Sequence, residues 1–511
     1  VELSLRSRIT DGLTADLNYG FTRATFRDYI FTDKDENSQI VKTDCKDNFI
    51  PYTPRHTVSL GLQYTKLLHR KMIDQFTASA QFTGAGKIFW TEKNDISQPF
   101  YGLVNAKAGI RKGIVNLNLW SRNITGTDYQ AFYFESFNQS FIQKGKPFQI
   151  GGEITATFYD MKLFYYLPLL LCLTYTAKGE EIEKDTTKIR NVELNEVVVQ
   201  SFKQQRDLRL EPLSASAVTG TAIQNRNITG IKEFSSFIPN LFMPDYGSKL
   251  TSPVYIRGIG SKINAPSVGL YVDGIPYFEK SAFDFDFNEV DRIEVLRGPQ
   301  GTLYGRNTMG GIINVYTKSP LKYEGTNIWL SNGNYGYRDY ALSHYKKIGE
   351  KFGYAVSGDF QSSDGYFTNL FTDKKADDMK SGSARIRLEW KPRKNLSIGL
   401  MSSFDRSVQG GYPYAVCDSV THKPGEVNYN DYSFYKRTLS TTGFSADYQG
   451  RGYSINSRTA FQYISDHQGI DQDFSPKSIY FARQDMKQKM FSEDLNLSLI
   501  HISEPTRPEP I

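Results

Sequence analysis

The residue types able to do chemistry are sparse in this 511-residue sequence, and poorly spaced for it. Cys45, Cys172 and Cys417 lie far apart without metal-ligand spacing, so neither a zinc site nor a disulfide framework follows. Cys45 and Cys417 would pair only if their loops met, and two unrelated thiols is the simpler reading. Six histidines are scattered, and no Ser/His/Asp constellation accompanies them. The expectation is therefore no enzyme, no metal and no cofactor. The glycines of RIEVLRGPQGTLYGRNTMGGIINVYTK (292–318) invite a phosphate-loop or dinucleotide reading, but GK[ST] is absent and IINVYTK continues as a strand, not a helix. What remains is binding. The extended run Leu194, Asn195, Glu196, Val197, Val198, Val199 and Gln200 is β-branched and flanked by flexible charged sequence, which suits pairing with the edge of a partner's sheet. VGLYVDGIPYFEK (268–280) reads as a β-hairpin turning at Asp273-Gly274, a dipeptide that tolerates the positive φ of a tight turn.

These segments need elements to hold them, and the dominant period is two. In 13–26, Leu13, Ala15, Leu17, Tyr19 and Phe21 fall on one face, with Thr14, Asp16, Asn18 and Thr22 on the other. The pattern recurs in HTVSLGLQY, TASAQFTG, GIVNLNLW and QIGGEITATF. It returns later in TNIWLSNGNYGYRDYALSHY, YAVSGDFQSS, ARIRLEWKP, LSIGLMSSF, TTGFSADYQG, YSINSRTAFQYI and SEDLNLSL. Short turns such as KPRKN and QGRG alternate with long polar stretches, which is how an outer-membrane barrel is connected. A soluble β-sandwich also alternates, with shorter strands and loops.

Composition bounds the same conclusion. Aromatics are 14% of the chain and charged residues 23%, which argues against disorder. A mean hydropathy of −0.46, and no apolar run near the ~18 residues a spanning helix needs, exclude a helical membrane protein. A transmembrane barrel stays open, because its strands are short and only half apolar. A net charge of +6 is too mild and dispersed to imply nucleic acid.

Met161-Lys162, the apolar stretch LFYYLPLLLCL (163–173) and Ala177-Lys178-Gly179 form the three parts of a secretory signal peptide. It lies behind 160 other residues, so Met161 reads as the start of a second protein joined to the end of another. At the far end, 499–511 breaks the alternation with three prolines and reads as an artefactual tail.

VYIRGIG, VGLYVDGIPY and RIEVLRGPQGTLYGRNTMGGIINVYTK, in this order behind a signal peptide and LNEVVV, resemble the plug domain of TonB-dependent outer-membrane receptors. The resemblance covers about 161–498. Residues 1–158 separately resemble the family's closing barrel strands, in PRHTVSLGLQY (54–64), SRNITGTDYQ (121–130) and GKPFQIGGEITATF, whose terminal Phe158 is similar to the family's insertion signal. Phe148 departs from the Arg that relatives often carry after the Pro.

The resemblance implies a mostly β fold: a transmembrane antiparallel β-barrel, partial and permuted, with a mixed α/β plug domain. Its parts would be closing barrel strands at 1–158, a signal peptide at 161–179, TonB box and plug at 180–320, opening barrel strands at 321–498 and the tail at 499–511. At roughly 20 to 25 residues per strand and connection, the two blocks supply about 7 and about 8 strands of the 22 in a plugged transporter. They come from neighbouring paralogous genes or from one receptor whose middle has been lost.

By the same resemblance, Leu194 to Gln200 act as the TonB box, captured by TonB of the TonB–ExbB–ExbD complex. Arg257 and Arg297 pair with barrel glutamates. Lys262, Asn264, Tyr277, Phe278 and Phe283 are the substrate candidates, although aromatics there equally suit packing against the wall. The implied function is import of a scarce small nutrient across the outer membrane of a Gram-negative bacterium, in contact with outer-membrane lipid. The short distance from signal to LNEVVV tilts the ligand towards an iron-siderophore, haem or a cobalamin-like molecule. A passive pore or adhesin on the same barrel, and a non-functional fused or truncated frame, are the alternatives.

Overall fold

A computed structural model describes residues 1–34, 39–68, 72–136, 139–159, 198–201, 204–207, 214–248, 253–261, 265–283, 289–418 and 421–499. The proposed signal segment, Cys172, Leu194 to Val197, Lys262, Asn264 and residues 500–511 lie outside them.

One 15-stranded sheet dominates. Its first seven strands are β1 (Glu2–Arg8), β2 (Leu13–Phe21), β3 (His56–Leu67), β4 (Gln75–Gly86), β5 (Tyr101–Lys112), β6 (Val115–Arg122) and β7 (Gln149–Phe158). Between these and the rest of the wall come the plug strands β8 (Ser214–Thr219), β9 (Val268–Val272), β10 (Ile275–Tyr277), β11 (Val290–Arg297) and β12 (Gly311–Thr317), with the short helices α1 (Gly220–Asn225) and α2 (Ile231–Ser235). Eight wall strands follow: β13 (Gly325–Gly333), β14 (Arg338–Ile348), β15 (Phe352–Ser363), β16 (Met379–Arg393), β17 (Leu396–Gly410), β18 (Phe434–Gln449), β19 (Tyr453–Asp471) and β20 (Phe481–Leu499).

The two blocks join directly. β7 pairs antiparallel with β13, from Gly151 against Gly333 to Phe158 against Thr326, so the last strand before the plug and the first strand after it are neighbours in the wall. The run 326–345, continuous in its period, is cut into β13 and β14 by a turn in which Tyr335 and Gly336 both take positive φ. Gly336 suits that backbone, whereas a tyrosine there costs of order 1–3 kcal/mol.

Burial along the wall is the reverse of a soluble protein's. In β3, Thr57 and Ser59 are buried while Leu60 and Leu62 are exposed. Leu119, Ile154, Leu342, Ile386, Phe444, Phe461 and Leu495 continue the exposed apolar face around the sheet, and Gln81, Glu153, Arg437, Thr441 and Gln462 are buried on the other. Such an arrangement is stable only where the outer solvent is hydrocarbon and the inner face is filled.

The plug fills it. Its five-stranded sheet runs β8-β11-β12-β9-β10, antiparallel except for the β9–β12 pair. Val272 and Ile275 flank Asp273 and Gly274, both at positive φ as the hairpin reading requires. α1 starts where the Thr219 hydroxyl accepts from the Ala222 amide at 3.4 Å. Gly220 is needed there because a Cβ would sit 2.2 Å from the Val290 carbonyl oxygen. The core gathers Ile223, Phe234, Leu270, Phe283, Ile293 and Ile313 from the plug with Met401, Leu439 and Ile464 from the wall, so plug and wall share one hydrophobic cluster.

Candidate functional site

The plug's seat begins with Arg297, at the end of β11. Its guanidinium is almost fully buried and donates from Nε to Glu2 Oε2 at 3.1 Å and to Ser214 Oγ at 3.0 Å, and from Nη1 to Ser216 Oγ at 2.6 Å. Arg257 reaches the same carboxylate from a left-handed turn (φ 52°), whose amide donates to Asn240 O. It engages Glu2 through both oxygens, Nε to Oε1 at 2.8 Å and Nη2 to Oε2 at 2.7 Å. Ser214 Oγ and Asn240 Nδ2 complete the shell of donors around Glu2. Burial lowers the Arg297 pKa, opposed by Glu2, whereas the hydrogen bonds that Arg257 donates to Glu2 raise its own. Both plug arginines predicted from sequence thus converge on one wall carboxylate, the Glu2 that sequence reasoning did not identify.

A second attachment lies on β16. Arg387 contacts Asp273 at 3.1 Å and Glu389 at 2.6 Å, and Nη1 donates to the Thr317 carbonyl at 3.2 Å. Asp273 also accepts from the Thr317 amide and hydroxyl at 2.9 and 2.7 Å. Burial opposes its charge, but Arg387 and the Thr317 donors hold the carboxyl below its ordinary value. Arg385 meets Glu289 at 3.3 Å. Arg226 meets Asp16 at 2.6 Å, Lys107 joins Glu153 at 2.8 Å while donating to the Gln224 carbonyl at 3.0 Å, and Arg437 pairs with Asp405 at 2.7 Å and donates to the Ser281 carbonyl. The readable signal for these was polar alternation inside a strand: ARIRLEW puts Arg385, Arg387 and Glu389 on the lumen side.

The substrate candidates fare differently. Tyr277 and Phe283 are in the plug core, 5% and 0% exposed, where their rings pack, in keeping with the packing alternative left open in the sequence. The turn pattern that drew attention to them marks a hairpin whose tip contacts Arg387 of the wall. Phe278 is half-buried beneath Arg306, whose guanidinium lies 4.4 Å from the ring centre. Sequence reasoning missed an aromatic cluster at the long-loop end. It joins Tyr52, Trp90, Phe132, Tyr414 and Phe474 from wall loops to Tyr246 and Tyr255 of the plug, with the Phe132 and Tyr246 ring centres 3.8 Å apart. Loop aromatics have no periodicity, so only their convergence reveals the cluster.

Of the run 194–200, Val198 to Gln200 belong to a strand, Val198–Ser201, that pairs antiparallel with Gln204–Asp207. Cys45 and Cys417 are separate free thiols, each buried.

Residues 207–312 match the TonB-dependent receptor plug domain, and residues 1–124 match the TonB-dependent receptor-like β-barrel. The pesticin receptor of Yersinia pestis is 33% identical over 165 residues, 31% of this chain and 23% of that protein. The vitamin B12 transporter BtuB of Vibrio cholerae is 33% identical over 118 residues, 22% of this chain and 19% of that protein. The chain thus spans about a quarter or less of the length of these relatives. The crystal structure of the ferric yersiniabactin uptake receptor FyuA from Yersinia pestis shares the fold, with a TM-score of 0.50 and 20% identity, over 57% of this chain and 46% of that one. A plug match and a barrel match in one chain, on segments that the fold seats one inside the other, identify residues 207–312 as a TonB-dependent receptor plug domain and residues 1–124 as part of a TonB-dependent receptor-like β-barrel.

Proposed function

We propose that this chain belongs to an energised importer of the bacterial outer membrane, in which Leu194 to Gln200 form the TonB box. The observation that carries this reading is a plug held in the lumen by charged pairs, Glu2 with Arg257 and Arg297 and Asp273 with Arg387, while the outer wall is apolar. These charged pairs act beside the apolar cluster that plug and wall share, and they release when pulled because water replaces each partner as it leaves. An extended run ahead of the plug gives TonB, driven by ExbB and ExbD, a strand to pair with. Ligand binding at the long-loop end biases exposure of that run at the other, a coupling between two sites.

The ligand is a scarce nutrient of the iron-siderophore, haem or cobalamin kind, consistent with a relative named a vitamin B12 transporter. A passive pore is disfavoured by the filled lumen. Radiolabelled ligand uptake in cells carrying an intact version with 194–200 deleted is the test: uptake falls to background on this reading, and unchanged uptake overturns it.

A further inference from the structure

The lipid-facing side of the wall is charged in one sector only. Strand register carries that side through every ladder, so Leu17, Leu60, Phe82 and Leu119 share it with Phe404 and Phe444. On β1 to β7 it holds no Lys, Arg, Asp or Glu except Lys66 and Lys112, each beside a short turn. On β16 to β18 it holds Lys380, Arg406 and Lys436, all exposed and towards the long-loop ends, and no acid shares it on those three strands.

A cation on the lipid face costs about 2–4 kcal/mol at the midplane and about 0–1 near the interface, so depth decides whether these three are tolerated. Trp390, 48% exposed near the short-turn end of β16, marks the inner boundary as interfacial aromatics do. Ten residues of one strand separate it from Lys380, which at a rise of ~3.3 Å and a tilt of ~40° is about 25 Å, the height of the apolar band. Ala446 and Lys436 repeat the spacing on β18, because Trp390, Ile398 and Ala446 stand opposite one another in register. Lys380 and Lys436 therefore lie at the outer headgroup boundary, with Arg406 on the strand between them and two residues deeper.

The protein does not neutralise this triangle. Among the described residues none of the three pairs with a carboxylate: Asp405 turns inward to Arg437, and Asp485 is engaged by His467. Lys436 Nζ instead lies 5.1 Å from the centre of the Phe434 ring, towards the outer end of its strand, as a snorkelling lysine does. The hydroxyls of Thr438 and Ser465 follow Arg406 in the same register row, adding donors beside it.

We infer that the outward face of β16 to β18 is a docking surface for the phosphorylated headgroup of an outer-leaflet lipid. Its phosphate oxygens accept charge-assisted hydrogen bonds from Lys380, Arg406 and Lys436, and its acyl chains lie along Phe404 and Phe444. Charge complementarity selects this occupant, because three cations at headgroup depth with no protein counter-charge call for a multiply anionic partner that is itself anchored in the bilayer.

The test places the full chain in phosphatidylcholine vesicles doped with either diphosphoryl lipid A or the same lipid stripped of phosphate. Flotation and far-UV circular dichroism establish insertion and folding, and native mass spectrometry after extraction into neutral detergent counts the lipid retained. The phosphorylated lipid is expected to be retained and the stripped lipid not. Lys380→Gln, Arg406→Gln and Lys436→Gln should each lower retention about fivefold, and the triple variant at least tenfold, whereas Lys66→Gln at the other end of the wall leaves it unchanged. Equal retention of the stripped lipid, or unchanged retention by the triple variant, overturns the inference. Displacement of the lipid by inorganic phosphate also overturns it, by assigning the surface to the free ion. The inference rests on the outer-membrane placement of the wall and not on import: a chain that fails to float overturns that placement as well, whereas a chain that floats and retains no lipid overturns this inference alone.

Discussion

Glu2 on β1 faces both Arg257 and Arg297 of the plug. Its carboxylate answers two guanidiniums, one buried and one 41% exposed at the side chain, so the two arms differ in weight. Glu2→Gln leaves Arg297 desolvated without a counter-charge. The cost is about 2–3 kcal/mol, below the ~3–5 of a fully buried pair because water already reaches Arg257. The midpoint of urea-induced plug release, read by protease cleavage of the plug, should fall accordingly. Arg257→Ala should cost less than Arg297→Ala in the same assay, and the reverse order would show that exposure does not set the balance. On the opposite wall, Asp273→Asn and Arg387→Met test coupling. A double-mutant cycle should give at least about 1 kcal/mol of interaction energy, because both groups are largely removed from water.

Strands are the elements that matter, and each has a wet and an oily face. Leu119 on β6 is 69% exposed on the oily side. Replacing it with Lys should reduce insertion into vesicles by about 2–4 kcal/mol if it sits near the midplane. Thr441 on β18 is fully buried on the lumen side. Thr441→Ser should leave insertion unchanged, and equal penalties at both positions would mean that the faces have been assigned wrongly. β1 (Glu2–Arg8) and β5 (Tyr101–Lys112) were the strands least legible in sequence, for a physical reason. In β5 the alternation runs through Ala106, Lys107 and Ala108, whose small apolar side gives little contrast, and β1 offers only Leu3 and Leu5.

At the scale of the whole molecule, the plug is held to the wall by ions as well as by the shared core, and this gives its attachment a pH dependence. Asp273 is held below the ordinary carboxylate range chiefly against burial, by Arg387 and the Thr317 donors. Asp245 is likewise held low against burial by Lys232 and Lys146. A carboxyl with a depressed folded value contributes stability that is fully present above its unfolded pKa, near 4, and is lost as pH falls through the folded value. Plug retention should therefore be constant from neutrality to about pH 5 and fall below about pH 4. Protease accessibility of residues 214–317 against pH measures it, and a plug released near pH 6 would contradict this assignment.

Sequence alone determined the material of this protein. Period-two alternation set strands with one apolar face, the absence of a long apolar run excluded spanning helices, and the motifs within 254–318 resembled a plug. Those are local properties, written in the order of side chains along a chain. The expectation of about seven and about eight strands matches the observed wall because strand length is fixed by membrane thickness. Only the tertiary structure decided that β7 pairs with β13, that Glu2 is the carboxylate facing Arg257 and Arg297, that Tyr277 and Phe283 belong to the core, and that seven loop and plug aromatics meet. Glu2 and Arg297 are 295 residues apart. No periodicity reports a contact at that separation, because it depends on sheet register and plug orientation together.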